Sequence, residues 1–262
     1  MAVGRVKASI VSDWGFRAWV ASVLGVSLVF AMQGYYQSLI GPLSNFFPAA
    51  AAAAAFGSAV LCFIRYGHGI HRGFELVWFF FSLGTGLWVV AEVTWALYYF
   101  VLRVAVPYPS VADFFYVGGY FPMLAGLALY GRTFSVAMSR RRLAASLAVI
   151  CVAASMALYF VVPSELSTSP TLLKALTDLG YPILDLALFS LTVIALAIFI
   201  TGSIANWWLL FGVGSVLYVI GDEFFLYQVA AGSYYNGSLD DLIFILGYLM
   251  FALAFYMHRR VL

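Results

Sequence analysis

Apolar blocks of about 20 residues follow one another along the chain, separated by short turn-forming stretches, and this recurrence leaves few folds open. Eight blocks run Trp14–Ile40, Phe46–Tyr66, Phe74–Leu102, Val111–Tyr130, Leu143–Val162, Thr171–Thr201, Trp207–Gln228 and Leu239–Met257. A bilayer offers the backbone no water partner, so each block predicts a helix. Composition agrees: 65% of the 262 residues are hydrophobic and 9% are charged, where soluble domains carry about 25% charged residues. Ordinary soluble enzymes, nucleic-acid binders and disordered chains are thereby excluded. Turn chemistry marks breaks at Gly41-Pro42, Pro107 to Ser110, Pro163-Ser164, Ser169-Pro170 and Gly232 to Gly237, with 202–206 the thinnest. No stretch between blocks is long enough for a soluble domain. The expectation is an all-α polytopic membrane protein with eight transmembrane helices, a single integral membrane domain over 1–262.

The few charges are sorted by position. With the N-terminus in the cytoplasm, that side collects Arg5, Lys7, Arg17, Arg65, Arg72, Arg132, Arg140, Arg141, Arg142, Arg259 and Arg260, eleven bases against Arg103 and Lys174 opposite. The positive-inside bias therefore predicts a multi-pass cell-membrane protein with both termini cytoplasmic. The first block is too long for a cleaved signal and reads as an uncleaved span. Nine of the eleven acids fall in the outer half or outer loops; only Asp13 and Glu75 lie inside. Acids hardly influence topology, so their clustering needs another cause.

Self-comparison supplies the most specific signal. Gly84-Thr-Gly-Leu-Trp-Val-Val-Ala-Glu92 matches Gly214-Ser-Val-Leu-Tyr-Val-Ile-Gly-Asp222 at eight of nine positions, counting conservative changes. Ser110-Val-Ala-Asp113 leads to Gly119-Tyr120 as Ser238-Leu-Asp-Asp241 leads to Gly247-Tyr248. Thr171-Leu-Leu-Lys174 and Gly180-Tyr181 repeat the frame with a lysine in place of the acid. Blocks three–four, five–six and seven–eight (74–130, 143–201 and 207–257) thus read as three parallel helical hairpins, the middle one degenerate, after an N-terminal pair over 14–66. Ser110 with Asp113, and Ser238 with Asp241, form capping-box starts that satisfy free N–H groups at a helix end. The glycines permit close helix contact, with the tyrosines at or just below the interface.

Glu92, Asp178, Asp185, Asp222 and Glu223 lie deeper, where a charge is costly and must face the bundle interior. Glu92 shares a helix face with Trp88, Trp95 and Tyr99, and Asp222 shares one with Tyr218 and Phe225. Two acid-plus-aromatic faces at repeat-equivalent positions predict an outward-opening cavity, with Asp185 as a further acid. Its chemistry suits a cationic or amphipathic small ligand through ion pairing and cation–π contact. The competing expectation is a polar knot in which the acids bond Tyr, Thr94 or Arg103 and hold helices in register.

Other chemistry is missing. His68, His71 and His258 sit at the cytoplasmic edge, the last blocks hold no lysine for a Schiff base, and HExxH, GxSxG and P-loop patterns are absent. The expectation is a non-catalytic protein with no cofactor and no metal site. Cys62 and Cys151 read as small buried hydrophobes, and Ala49 to Ala55 as a smooth face for close packing. Asn236-Gly-Ser238 is a glycosylation sequon in an outer loop.

The segment Pro107-Tyr-Pro-Ser-Val-Ala-Asp-Phe-Phe-Tyr-Val-Gly-Gly-Tyr120, with Asp222 and the Asp241 to Tyr248 pattern, resembles the multi-helix membrane input domain found N-terminal to bacterial diguanylate cyclases, cyclic-di-GMP phosphodiesterases and sensor kinases. The resemblance covers Gly84 to Tyr256. It implies a sensor that relays a stimulus through its last helix, to a cytoplasmic signalling partner or through a homo-oligomer, with membrane lipid around it. An accessory or scaffold subunit of a membrane complex, and a small proton-coupled transporter using Glu92 and Asp222, are the other readings the residues leave open.

Overall fold

Within a membrane the polar side chains, not the apolar ones, mark the inside of a bundle. The computed structural model describes residues 13–67, 74–133, 138–156, 158–159, 171–199 and 204–261. Eight α-helices run through them: α1 Trp14–Ala31, α2 Gln37–Gly67, α3 Phe74–Leu97, α4 Val111–Thr133, α5 Arg140–Met156, α6 Leu172–Phe199, α7 Ala205–Ala231 and α8 Leu239–Val261. Seven of these, all but α5, are long and apolar enough to cross a bilayer. The chain is an all-helical membrane protein.

Neighbouring helices pack as α2 on α3, α3 on α4, α4 on α6, α6 on α7, α7 on α8, and α8 back on α2. These contacts close a ring of six helices, while α1 packs chiefly on α8 and α5 chiefly on α6 from outside. The predicted smooth face on α2 has Ala51, Ala52, Ala55 and Ala59 buried. Helices approach most closely where glycines face each other: Gly84 meets the Gly119 carbonyl, and Gly214 meets the Gly247 carbonyl. These are corresponding positions of the self-similar segments. Gly180 has no neighbour within 4 Å on its Cβ side, so the third Gly-Tyr pair makes no such contact.

Several boundaries differ from the sequence expectation. The first break is not Gly41-Pro42 but the 3-10 turn Gln33–Tyr35, so Gln37 to Ile40 open the second helix and not the close of the first. Pro42 lies inside α2, near its start. There the Ser44 hydroxyl and the Asn45 amide both donate to the Gly41 carbonyl, at 3.0 and 2.8 Å, in the opening turns of the helix, where a proline deprives only the Ser38 carbonyl of its N–H. The fifth block is described as a helix only to Met156, so it is not among the seven crossings. The Pro163-Ser164 and Ser169-Pro170 breaks, with Arg5, Lys7, His68, His71, Arg72 and Glu165, lie outside the described residues. Helix α3 continues as a π-turn over Tyr98–Leu102 and stops at Arg103, whose φ of 54° is left-handed. Gly232 ends α7 with a φ of 65°, and its N–H bonds back to Gln228 and Val229 carbonyls.

One other expectation changes. Cys62 is buried, but Cys151 is exposed on α5. His258, in the last turn of α8, faces inward. It is fully buried among Trp78, Trp207, Phe74, Tyr66 and Tyr130. Its Nδ1 lies 3.1 Å from the Tyr66 hydroxyl and its Nε2 3.0 Å from the Tyr130 hydroxyl. Immediately before the Arg259-Arg260 pair, the imidazole ties α8 to α2 and α4.

Candidate functional site

The ring interior is sealed at mid-height by aromatic rings. Trp88 of α3 stacks on Tyr218 of α7 with centroids 4.4 Å apart and planes 18° from parallel. Trp88 Nε1 donates to the Tyr116 carbonyl at 3.1 Å. Both rings are fully buried, so they form the floor of the site and not its wall.

Above this floor, toward the end that carries the 103–110 and 232–238 loops, lies a cavity of about 50 Å³. Four carboxyl side chains line it: Glu92 from α3, Asp113 from α4, Asp222 from α7 and Asp241 from α8. Tyr116 and Tyr181 complete the wall, and Trp95, Phe225 and Tyr234 make the rim. The rim rings touch edge to face, with Trp95–Phe225 centroids at 5.7 Å and Phe225–Tyr234 at 5.2 Å. The same three rings border a second, wider cavity of about 340 Å³ with Tyr99, Tyr108 and Asn236. Among the described residues, no lysine, arginine or histidine lines either one.

Each acid accepts from hydroxyls or N–H groups, some from another helix and some from the loop just before its own. Tyr248 of α8 donates to Glu92 Oε1 at 2.9 Å. Tyr120 of α4 reaches Asp222 Oδ2 at 2.5 Å and Asp185 Oδ1 at 2.5 Å. Tyr181 of α6 donates to Asp113 Oδ1 at 2.8 Å. The other Asp113 oxygen accepts from the Ser110 N–H at 2.6 Å and its hydroxyl at 2.8 Å, while Ser110 Oγ accepts from the Ala112 N–H at 3.1 Å. Asp241 reaches the Gly237 N–H at 2.6 Å, and the Ser238 hydroxyl is bonded to Asp240. Asp113 and Asp241 therefore serve a helix start with one oxygen while their carboxyls also face the cavity. Tyr234, in the loop before α8, donates to Asp241 at 3.3 Å. Burial above all, and then the Asp241 and Asp240 carboxyls, push its phenol well above its ordinary value, so it stays a donor.

The predicted site residues separate into layers. Glu92, Asp222, Trp95 and Phe225 line the small cavity; Tyr99 lines the outer one; Trp88 and Tyr218 lie beneath; Asp185 is on the far side of Tyr120, facing a groove between α5, α6 and α7. Thr94 does not bond an acid, its hydroxyl returning to the Val90 carbonyl at 2.7 Å, and Arg103 is exposed. Asp178 pairs with Lys174 at 2.7 Å. The Gly-Tyr tyrosines are not interfacial: Tyr120 and Tyr248 are fully buried and Tyr181 nearly so, each bonded to a carboxyl. Sequence reasoning missed Tyr116, Tyr181 and Tyr234. Only the recurrence of Gly-Tyr in three helices pointed at one of them. The sequon is closed, since Ser238 is 2% exposed and Asn236 accepts from the Asn45 amide at 3.1 Å.

Comparison of the chain with family models, with curated proteins and with solved structures gives no match.

Proposed function

We propose that this protein is a non-catalytic membrane sensor or ligand-binding domain whose outward-facing site takes a small molecule bearing a primary ammonium group. The observation that carries this reading is the four-carboxyl cavity, rimmed by three aromatic rings and lined by no base. Its volume, about 50 Å³, is small but has room for an ammonium group, a single water needing about 10–15 Å³ of such space. The body of the ligand would occupy the wider aromatic cavity outside. Cation–π attraction at the rim and the acids behind it act in the same direction.

We read the arginine bias as putting both termini in the cytoplasm and the site on the opposite face, which requires the fifth block to cross beside the seven long apolar helices, and the self-similar segments as making the α3–α4 and α7–α8 hairpins related halves. Helix α8 gives the relay a route. Its first turns supply Asp241 and Phe244 to the cavity, and its last supply His258 and Arg260 to contacts with α2, α4 and the N-terminal cap of α1. A signal would be a change in how α8 is held at both ends.

Calorimetry on the protein in lipid nanodiscs tests the reading, with phenethylammonium as probe. Binding is expected for the primary amine, weakened at least tenfold by Glu92→Gln or Asp222→Asn. It should be absent for 2-phenylethanol and for the trimethylated ammonium, whose head exceeds the cavity. Equal affinity for the amine and the alcohol would sink the proposal.

A further inference from the structure

We infer that Tyr120, Asp185 and Asp222 hold one proton between the two carboxyls, and that a cation seated in the small four-carboxyl cavity displaces it. The second half rests on the cation-binding reading above; the first does not.

The Tyr120 hydroxyl oxygen lies 2.5 Å from Asp185 Oδ1 and 2.5 Å from Asp222 Oδ2. A phenol carries one hydrogen, and an ionised carboxylate carries none. One hydrogen cannot fill both contacts, so a second must come from a carboxyl. The two carboxyls thus face one hydroxyl oxygen from two sides, each within 2.5 Å of it. Asp185 Oδ2 is buried and has no other partner. Two like charges so placed in a low-dielectric interior repel strongly, and sharing a proton is the usual resolution.

The surroundings offer no base to do the same work. Asp222 feels the charges of Glu223 on its own helix, Asp113 from α4 and Glu92 from α3. From α8 the facing titratable groups are Asp241, in the same cavity wall, and Tyr248, already bonded to Glu92 and packed on Tyr218. Among the described residues, neither the small cavity nor the groove beside Asp185 has a lysine, arginine or histidine in its wall. Asp222 lines the cavity, whereas Asp185 and Glu223 line the groove, a space of about 410 Å³. The proton therefore sits in the partition between two spaces. A cation arriving on the Asp222 side supplies the charge that the proton supplied, leaving the proton free to depart by way of Asp185. Linkage makes the effect reciprocal: where one proton leaves per cation, affinity rises about tenfold per pH unit.

Infrared spectroscopy of the protein in nanodiscs, with labelled aspartate, reads the carboxylic-acid C=O band directly. Wild type at neutral pH should show it. Asp185→Asn and Asp222→Asn should each remove one and the same proton equivalent, and the double variant no more than either. A band left intact by both single variants, or a double loss twice the single, overturns the shared proton and leaves the cation reading untouched. Tyr120→Phe removes no charge and guards against misfolded Asn variants: the band should persist at a shifted frequency. An unshifted band overturns the bridge. Phenethylammonium added to wild type should then diminish the band. Binding without that loss overturns the exchange, while absence of binding sinks the cation reading and the exchange with it.

Discussion

A methyl group added to Gly119 would lie 2.5 Å from Trp88 Cδ1 and 3.0 Å from the Gly84 carbonyl. The indole cannot retreat, being stacked on Tyr218 and bonded through Nε1. Gly119→Ala should therefore cost about 1–3 kcal/mol, the usual range for overpacking, seen as a lower midpoint of thermal unfolding in detergent. Gly180 meets nothing within 4 Å, so Gly180→Ala should be neutral, or stabilising by up to about 1 kcal/mol through helix propensity. The two glycines stand in the same Gly-Tyr frame, and the sequence does not tell them apart. A glycine only permits close approach; contact needs a second glycine opposite, as Gly84 supplies for Gly119 and Gly214 for Gly247. The acids were legible one residue at a time, because a carboxyl inside an apolar block has nowhere to go but inward. Their partners were not. A helical wheel shows which residues share a face and is silent on which faces meet, so Tyr120, Tyr181 and Tyr248 looked interfacial.

At the scale of the element, α1 depends on a small polar latch. Asp13 caps it, Oδ1 accepting from the Gly15 and Phe16 N–H groups at 2.9 and 3.2 Å. The same carboxyl accepts from the Tyr256 hydroxyl of α8 at 2.6 Å and pairs with Arg260. Trp19 adds a bond from Nε1 to the Leu249 carbonyl at 2.7 Å. The Tyr256 hydroxyl first, then the Phe16 N–H and the Arg260 charge, outweigh desolvation and hold Asp13 below its ordinary carboxylate value. A folded-state value below the unfolded one means stability present above the unfolded pKa and lost as pH falls through the folded one. The difference in unfolding midpoint between wild type and Asp13→Asn should be constant above about pH 5 and shrink as the solution is acidified past the carboxylate range. A difference that grows on acidification would contradict the latch. Helix existence was readable from block length alone, but the α1–α2 junction was not. Gly41-Pro42 is a strong turn signal in water, whereas here the proline falls in the opening turns of α2, where it removes a single backbone bond, and the chain turns earlier, at Gln33–Tyr35.

The whole molecule is knitted by an exchange between distant halves. Tyr120, in the helix after Glu92, reaches Asp222; Tyr248, in the helix after Asp222, reaches Glu92. Each hairpin thus supplies the hydroxyl for the other's acid, around the stacked Trp88 and Tyr218. The self-similar segments were visible in the sequence, but this crossing was not, since a repeat fixes equivalence and leaves open whether equivalent groups bond within a hairpin or across. Lipid supplies little apolar driving force for helix association, so the crossed bonds and ring packing carry a large share of the cohesion between halves. A double-mutant cycle on Tyr248→Phe and Glu92→Gln tests this, read by unfolding in mixed micelles. The coupling should be favourable, about 0.6–2 kcal/mol, the range for side-chain hydrogen bonds between membrane helices. The cycle on Tyr120→Phe and Asp222→Asn should give the same sign, and its size should depend on Asp185, which competes for the Tyr120 hydroxyl. Across the two crossings, Tyr120→Phe with Glu92→Gln should be closer to additive, because those residues share no direct bond. Coupling as large there as within either crossing would mean that the halves respond as one block, and the separate roles given to the two tyrosines would fall.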